Sequence, residues 1–298
     1  MNLLTTSALT LILTSDSRYP CRYHFQSRNT DGVAALIYAD IAMPRLHFTC
    51  AYDGTPWQGW QSQAGGLTIQ DTLESAFAAI LRAPLRIAAS GRTDAGVHAR
   101  AQHFHADIPE HCRMSTANWV AALNAHLPAS IRILAAGEAE PGFHARFSAV
   151  GKVYEYLIST APVLSPFDHN RVWHCPHGMD AQALAAALSV YEGEHDFRRF
   201  AAKRGNEPAE PPADYFVRKI YHAGVTVEQG GQLLRLRYHG NGFMYRMVRL
   251  LTGTAQKVAA GKMSLDELQE MLENPLGGKT RHCAPAAGLY LERVDYPV

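Results

Sequence analysis

A six-element order occurs twice between residues 44 and 298, and it leaves few architectures open. In the first run, Arg45–Tyr52 alternates with Leu46, Phe48, Cys50 and Tyr52 on one face, the period of a half-buried strand. Thr68 stands as a helix N-cap with Asp71 three residues on, and Ile69, Leu73, Phe77 and Leu81 fall on one helical face. Short strands are expected over Leu85–Ala89 and Ala99–Ala106. Ser115 then caps a helix through Trp119, Leu123 and Leu127, stopped by Pro128, and Ile131–Ala135 is the fourth strand. The second run starts with a strand at Lys152–Ser159, apolar on both faces. Asp180 caps an Ala/Leu helix ended by Gly193, and Tyr215–Val227 and Leu233–Tyr238 make a hairpin around Gly230-Gly231. A helix follows over Phe243–Ala260, then an extra one over Ser264–Glu273 with a Ser264/Glu267 capping box, and Gly288–Val294 closes. Two β-α-β-β-α-β units imply an α+β protein whose sheets are antiparallel, with helices on one face and the other face open. An open sheet face suits a single-stranded or hairpin nucleic acid.

The hydrophobic fraction, 47%, is enough for a real core and excludes a disordered chain. Residues 1–43 differ from the rest: they hold no sustained helical period, and strand alternation fades at Ser17-Arg18-Tyr19-Pro20. They are expected to be an N-terminal extension, disordered or not translated, with Met43 as the start; a short added strand or tail is the other reading. The apolar run Ala8–Leu13 is too short for a bilayer and has no Lys or Arg before it, so neither a membrane span nor a secretory leader is expected. Five scattered cysteines without a Cys-x-x-Cys pair fit reduced thiols and a cytoplasmic setting.

Chemistry-bearing residues are densest in Gly91-Arg92-Thr93-Asp94-Ala95-Gly96-Val97-His98-Ala99, the link between two strands. Asp94 is a candidate catalytic acid there; the alternative is a turn aspartate bonded to its own backbone. His98, His103 and His105 raise a metal site, but no ligand spacing such as His-Glu-x-x-His accompanies them, and exposed strand histidines are the plainer reading. The formal charge is only +1, yet from Gln229 to Leu265 there is no acid, while Arg235, Arg237, Arg246, Arg249, Lys257 and Lys262 are present. Arg198, Arg199, Lys203 and Arg204 precede that stretch, and Tyr221, Tyr238, Phe243 and Tyr245 are interleaved. Basic residues with aromatics suit phosphates and unstacked bases; a solvated basic face is the alternative. Arg246 and Arg249 are three apart on the expected helix, so one of them is expected to be buried and to need an acid.

These segments resemble the tRNA pseudouridine synthase A family. Tyr52-Asp53-Gly54-Thr55 with Gly59-Trp60-Gln61 is similar to its opening strand and loop, and the segment around Asp94 to its nucleophile motif. Ala145-Arg146-Phe147-Ser148-Ala149 with Lys152-Val153-Tyr154-Glu155-Tyr156 is similar to its tyrosine motif. Phe243, Tyr245, Met247, Val248 and Arg249, then Ala284-Pro285 and Gly288-Leu289-Tyr290-Leu291, resemble its C-terminal motifs. The likeness runs from about Pro44 to the C-terminus. It departs at residues 1–43, at Trp57, where a Phe or Tyr is common, and in the Pro-rich loop Lys203–Asp214.

The resemblance implies two ferredoxin-like halves, residues 44–147 with the catalytic Asp and residues 148–298, flanking a central basic cleft, in a homodimer. It implies isomerisation of uridine to pseudouridine at positions 38 to 40 of the tRNA anticodon stem-loop, with no cofactor and no metal. Asp94 would be the nucleophile or base, held ionised by Arg249 reaching across the cleft. Tyr154 would stack on the uracil, Arg92 would fill the gap left by the everted base or hold a phosphate, and Leu289 or Leu291 would form an apolar wall. A non-catalytic RNA-binding module and a metal-dependent hydrolase built on the histidines are the competing expectations.

Overall fold

The computed structural model describes residues 10–12, 23–28, 34–39, 44–112, 114–203, 205 and 210–297. Ser17–Pro20, Cys21, Met43, Arg204 and Pro208 therefore lie outside the described residues. The chain divides into two compact units, residues 1–44 and 45–298. In the first, β1 (Thr10–Ile12), β2 (Tyr23–Arg28) and β3 (Ala34–Ala39) pair antiparallel in chain order.

The second unit opens with β4 (Arg45–Tyr52), α1 (Ile69–Leu81), β5 (Ile87–Ala89), β6 (His98–Asp107), α2 (Thr116–His126) and β7 (Ile131–Glu138). Leu46, Phe48, Cys50 and Tyr52 of β4 are buried while their neighbours are only partly so, as the alternation requires. Phe48 stacks on Phe104 at 5.0 Å and meets the edge of Phe77 from α1 at 5.4 Å. The helix begins where it does because the Thr68 hydroxyl accepts the Asp71 N–H. The second half runs β8 (Gly151–Ser159), β9 (Trp173–His174), α3 (Ala181–Ser189), β10 (Gly193–Asp196), β11 (Val217–Glu228), β12 (Leu233–Gly240), α4 (Met247–Ala259), α5 (Leu265–Glu273) and β13 (Leu289–Asp295). Asp180 caps α3, and the Ser264/Glu267 capping box opens α5.

Two separate sheets were expected, and the structure corrects this to one. Ten strands form a continuous sheet, β10-β11-β12-β8-β13-β6-β4-β7, with β5 beside β6 and β9 beside β8. Within each half the first of the four core strands lies between the third and the fourth, and the second flanks the third. The halves join because β5 covers β6 only opposite residues 104–106. The open edge at His98 and Ala99 then pairs in parallel with Tyr290 and Leu291 of β13, whose other edge is already on β8. An uncovered strand edge is a template for pairing, and here the closing strand of the second half takes it.

A second correction concerns α4. It starts at Met247 rather than Phe243, because Arg246 is left-handed at φ 58° and so cannot continue a helix on its N-terminal side. Cys50, Cys112, Cys175 and Cys283 are free thiols. Among the described residues no helix is long and apolar enough to cross a membrane.

Candidate active site

The segment around Asp94 links β5 to β6 and is fixed from several sides. The Val97 N–H bonds the Asp94 carbonyl at 3.1 Å, closing a turn over Gly96, whose φ of 76° suits glycine. Gly59 lets a neighbouring loop come close: a Cβ there would sit 2.7 Å from the Thr93 carbonyl, which accepts the Trp60 N–H at 3.1 Å. The Tyr52 hydroxyl lies 2.8 Å from Thr93 Oγ1. Buried Gln102 accepts from Ser90 Oγ at 2.6 Å and donates to the Gly91 carbonyl at 2.9 Å. From the second half, Lys152 Nζ donates to the Ser90 carbonyl at 2.8 Å.

Main-chain bonds thus make the turn, and the Asp94 carboxylate is left for another partner. Arg249, on the first turn of α4, donates from Nη1 to Asp94 Oδ2 at 2.8 Å. The two side chains are only 14% and 15% exposed, so the pair is largely desolvated and its attraction is little screened. Arg249 Nε is held by the Ala284 carbonyl at 2.8 Å, which aims the guanidinium. Arg246, expected on the same helical side, is exposed and lies over the Tyr245 ring at 5.1 Å instead.

The pair borders a cavity of about 400 Å³, within the range of nucleoside-sized ligands. Arg92, Asp94, Tyr154, Arg249 and Leu289 all line it. Tyr154 projects from β8 and is packed edge-on against Phe243 at 5.2 Å. Leu291 is the exception among the expected residues: two positions further along β13, about 7 Å, it is buried in the core at 1% exposure and does not line the cavity. Outside the cavity a wider basin adds Gln58, Lys203 and Ala95. Among the described residues Asp94 is the one carboxylate lining either space, against Arg92, Arg146, Lys152, Lys203, Arg246 and Arg249.

Among the described residues the rest of the basic cluster does not line this cleft. Arg198 is paired with Asp196, Arg199 with Glu270, and Arg235 with both Glu155 and Glu228. Tyr238 is a core residue whose hydroxyl meets Thr252. The histidines are corrected as well, since they are not exposed strand residues. His98 is buried: its Nδ1 accepts the Gly54 N–H and its Nε2 donates toward the carbonyls of Asn170 and Ala287, tying the two halves together. His103 bonds His47 at 2.8 Å, and His105 Nδ1 accepts the Ala145 N–H at 3.1 Å. Burial pushes His103 and His105 down to about 4. Among the described residues no three His, Cys, Asp or Glu side chains converge to hold a metal ion.

Sequence reasoning passed over Lys152, Arg146 and Phe147 as lining residues, whereas Phe243 was among the aromatics it set beside the basic residues. For Lys152 a signal was present, because it stands two before Tyr154 on a strand and so shares its face. Burial, with Arg146 and Arg218 adding repulsion, pushes the Lys152 ammonium down to about 8.

Proteins of known name match this chain in sequence. A sequence model described as tRNA pseudouridine synthase matches residues 49–148 and 187–297. The tRNA pseudouridine synthase A of Akkermansia muciniphila is 50% identical over 256 residues, 86% of this chain and 96% of that protein. This chain belongs to the tRNA pseudouridine synthase A family. The proteins of the same name from Methylacidiphilum infernorum and Geobacillus sp. are 36% and 40% identical, over 87% and 85% of this chain and 98% of each relative. Membership in the pseudouridine synthase A family accounts for the α+β architecture and for the grouping of the four motif segments around one cleft.

Proposed function

We propose that this protein isomerises uridine to pseudouridine in tRNA, acting on positions 38 to 40 of the anticodon stem-loop. The observation that carries this reading is the desolvated Asp94–Arg249 pair, 2.8 Å apart, at a cavity that Tyr154 also lines. A lone carboxylate has no use in a pure RNA binder with a cationic cleft, since it repels phosphate. It has a use when a nucleoside must be attacked.

The reaction breaks the N-glycosidic bond, turns the uracil over, and joins C5 to the same sugar carbon. No net redox change occurs and no outside group is transferred. Asp94 supplies the ionised carboxylate needed at the sugar C1′, at uracil C6, or to remove the 2′ proton. Arg249 holds the carboxylate in place by a charge-assisted hydrogen bond of 2.8 Å. Tyr154 offers its ring face to the everted uracil, and its hydroxyl can move a proton. Arg92, on the rim shared by cavity and basin, fills the gap in the stem or holds its backbone. Leu289 supplies the apolar wall. The protein works in the cytoplasm as a homodimer, and residues 44–147 and 148–298 are its two functional halves.

The test is incubation with an unmodified tRNA transcript followed by mapping of pseudouridine. Product in the anticodon arm is expected. A transcript that is bound and returned unmodified would turn the reading to an RNA-binding module. Sedimentation at assay concentration checks the dimer, which a monomer mass would refute.

A further inference from the structure

Among the described residues nothing in the site balances the charge of Lys152. The other partly buried cation of the cavity, Arg249, is neutralised by Asp94. Lys152 Nζ has one hydrogen-bond partner, the Ser90 carbonyl at 2.8 Å. Among the described residues no carboxylate forms an ion pair with it, while Arg146 and Arg218 repel it. Its ammonium also rests against the loop of Asp94: a Cβ added at Gly91 would stand 2.9 Å from Nζ. An ammonium has three N–H donors, so two remain after the bond to Ser90. Even a half-buried cation without a counter-ion is costly, and the cost is removed when a ligand brings the anion.

The position says which anion. Lys152 and Tyr154 are two apart on β8, so they share a face of the strand about 7 Å apart. A nucleotide with its base against Tyr154 and its sugar toward Asp94 has its backbone within that span. We propose that Lys152 is a phosphate-binding residue of the cleft, taking the phosphodiester of the everted nucleotide and tying it, through the Ser90 carbonyl, to the loop that carries Asp94. This deepens the proposed function and rests on it.

The salt dependence of binding separates a phosphate contact from a merely structural lysine. Affinity for an unmodified tRNA transcript is measured from low to moderate salt for the wild type, Lys152→Met and Lys152→Arg. Each lost phosphate contact lowers the slope of log affinity against log salt by about 0.7–0.9. Lys152→Met is expected to show that loss and a roughly tenfold rise in Kd, while Lys152→Arg keeps the wild-type slope. A wild-type slope in Lys152→Met overturns the proposal, and so does a contact made to the uracil carbonyls, which are neutral.

Should Lys152→Met fail to fold, the RNA is changed instead. A single neutral methylphosphonate at the target nucleotide is expected to weaken wild-type binding by the same factor, and to add nothing to the loss in Lys152→Gln. Additive losses overturn the proposal. If wild-type protein neither binds nor modifies tRNA, the proposed function has failed. If it modifies tRNA while the slope is unmoved, only this inference has.

Discussion

In the first half of the second unit, the carboxylate that meets the cavity, Asp94, stands on a loop beside Arg92; in the second half, Lys152 and Arg249 reach the cavity from regular elements, β8 and α4. The strand order is the same in both. The loop is fixed by Tyr52, Gln102 and Trp60 from its own half and by Lys152 and Arg249 from the other. Two like scaffolds therefore divide one task. One half holds the reacting group, and the other fixes its position. Neither half has a complete site.

That division is open to attack from either side. The largest effect is expected from Asp94→Asn, which removes the reacting charge and keeps the shape. Turnover should fall by at least about 10³-fold while tRNA affinity stays close to wild type; substantial residual pseudouridine would take Asp94 out of its role. Arg249→Ala removes the second half's contribution to the pair. A fall of about 10²-fold in kcat is expected, with tRNA affinity close to wild type, because the guanidinium that holds the Asp94 carboxylate in place is gone. An unchanged kcat would show that the two halves are not coupled through this pair.

A third test concerns the first half alone. His105 titrates near 6.5 when unfolded and is held to about 4 by burial. Between those values the unfolded chain binds the proton and the folded one does not, so stability is lost as pH falls from 6.5 to 4 and is fully present above. His105→Asn keeps an acceptor near the Nδ1 position for the Ala145 N–H. Wild type should lose on the order of 2–3 kcal/mol more than the variant between pH 7 and 4, read from urea midpoints; parallel losses would refute it. The smallest effect belongs to the second half's added helix. Ser264→Ala breaks the capping box and should cost about 1 kcal/mol with turnover unchanged, and a large activity loss would mean that α5 does more than pack.

What could be read from the residues followed distance along the chain. β4, α1 with its Thr68 cap, and α5 with its capping box rest on periodicity and on contacts three or four residues apart, so their limits matched. β9 and β10 are two and four residues long, too short to carry a period. The left-handed Arg246 that delays α4 leaves no mark on apolar spacing. Charges were legible as a list and not as pairs, because Arg199 finds Glu270 across 71 residues and Arg235 finds Glu155 across 80. The Asp94 segment was readable because its motif is dense and local, whereas Arg249 could be matched to it only through family resemblance, across 155 residues.

The parallel join of β13 to β6 sets a timetable for biosynthesis. His98 waits for the Ala287 carbonyl, 189 residues later, and Ala99 waits for Leu291. A nascent chain can complete its first half early, since domains fold in the order they are made. It still lacks the wall residue Leu289, the Ala284 carbonyl that orients Arg249, and the strand that closes the sheet. Termination after the first half but before that strand would leave a chain that bears Asp94 and lacks these parts of the site, so the site is completed in a single late step rather than by degrees.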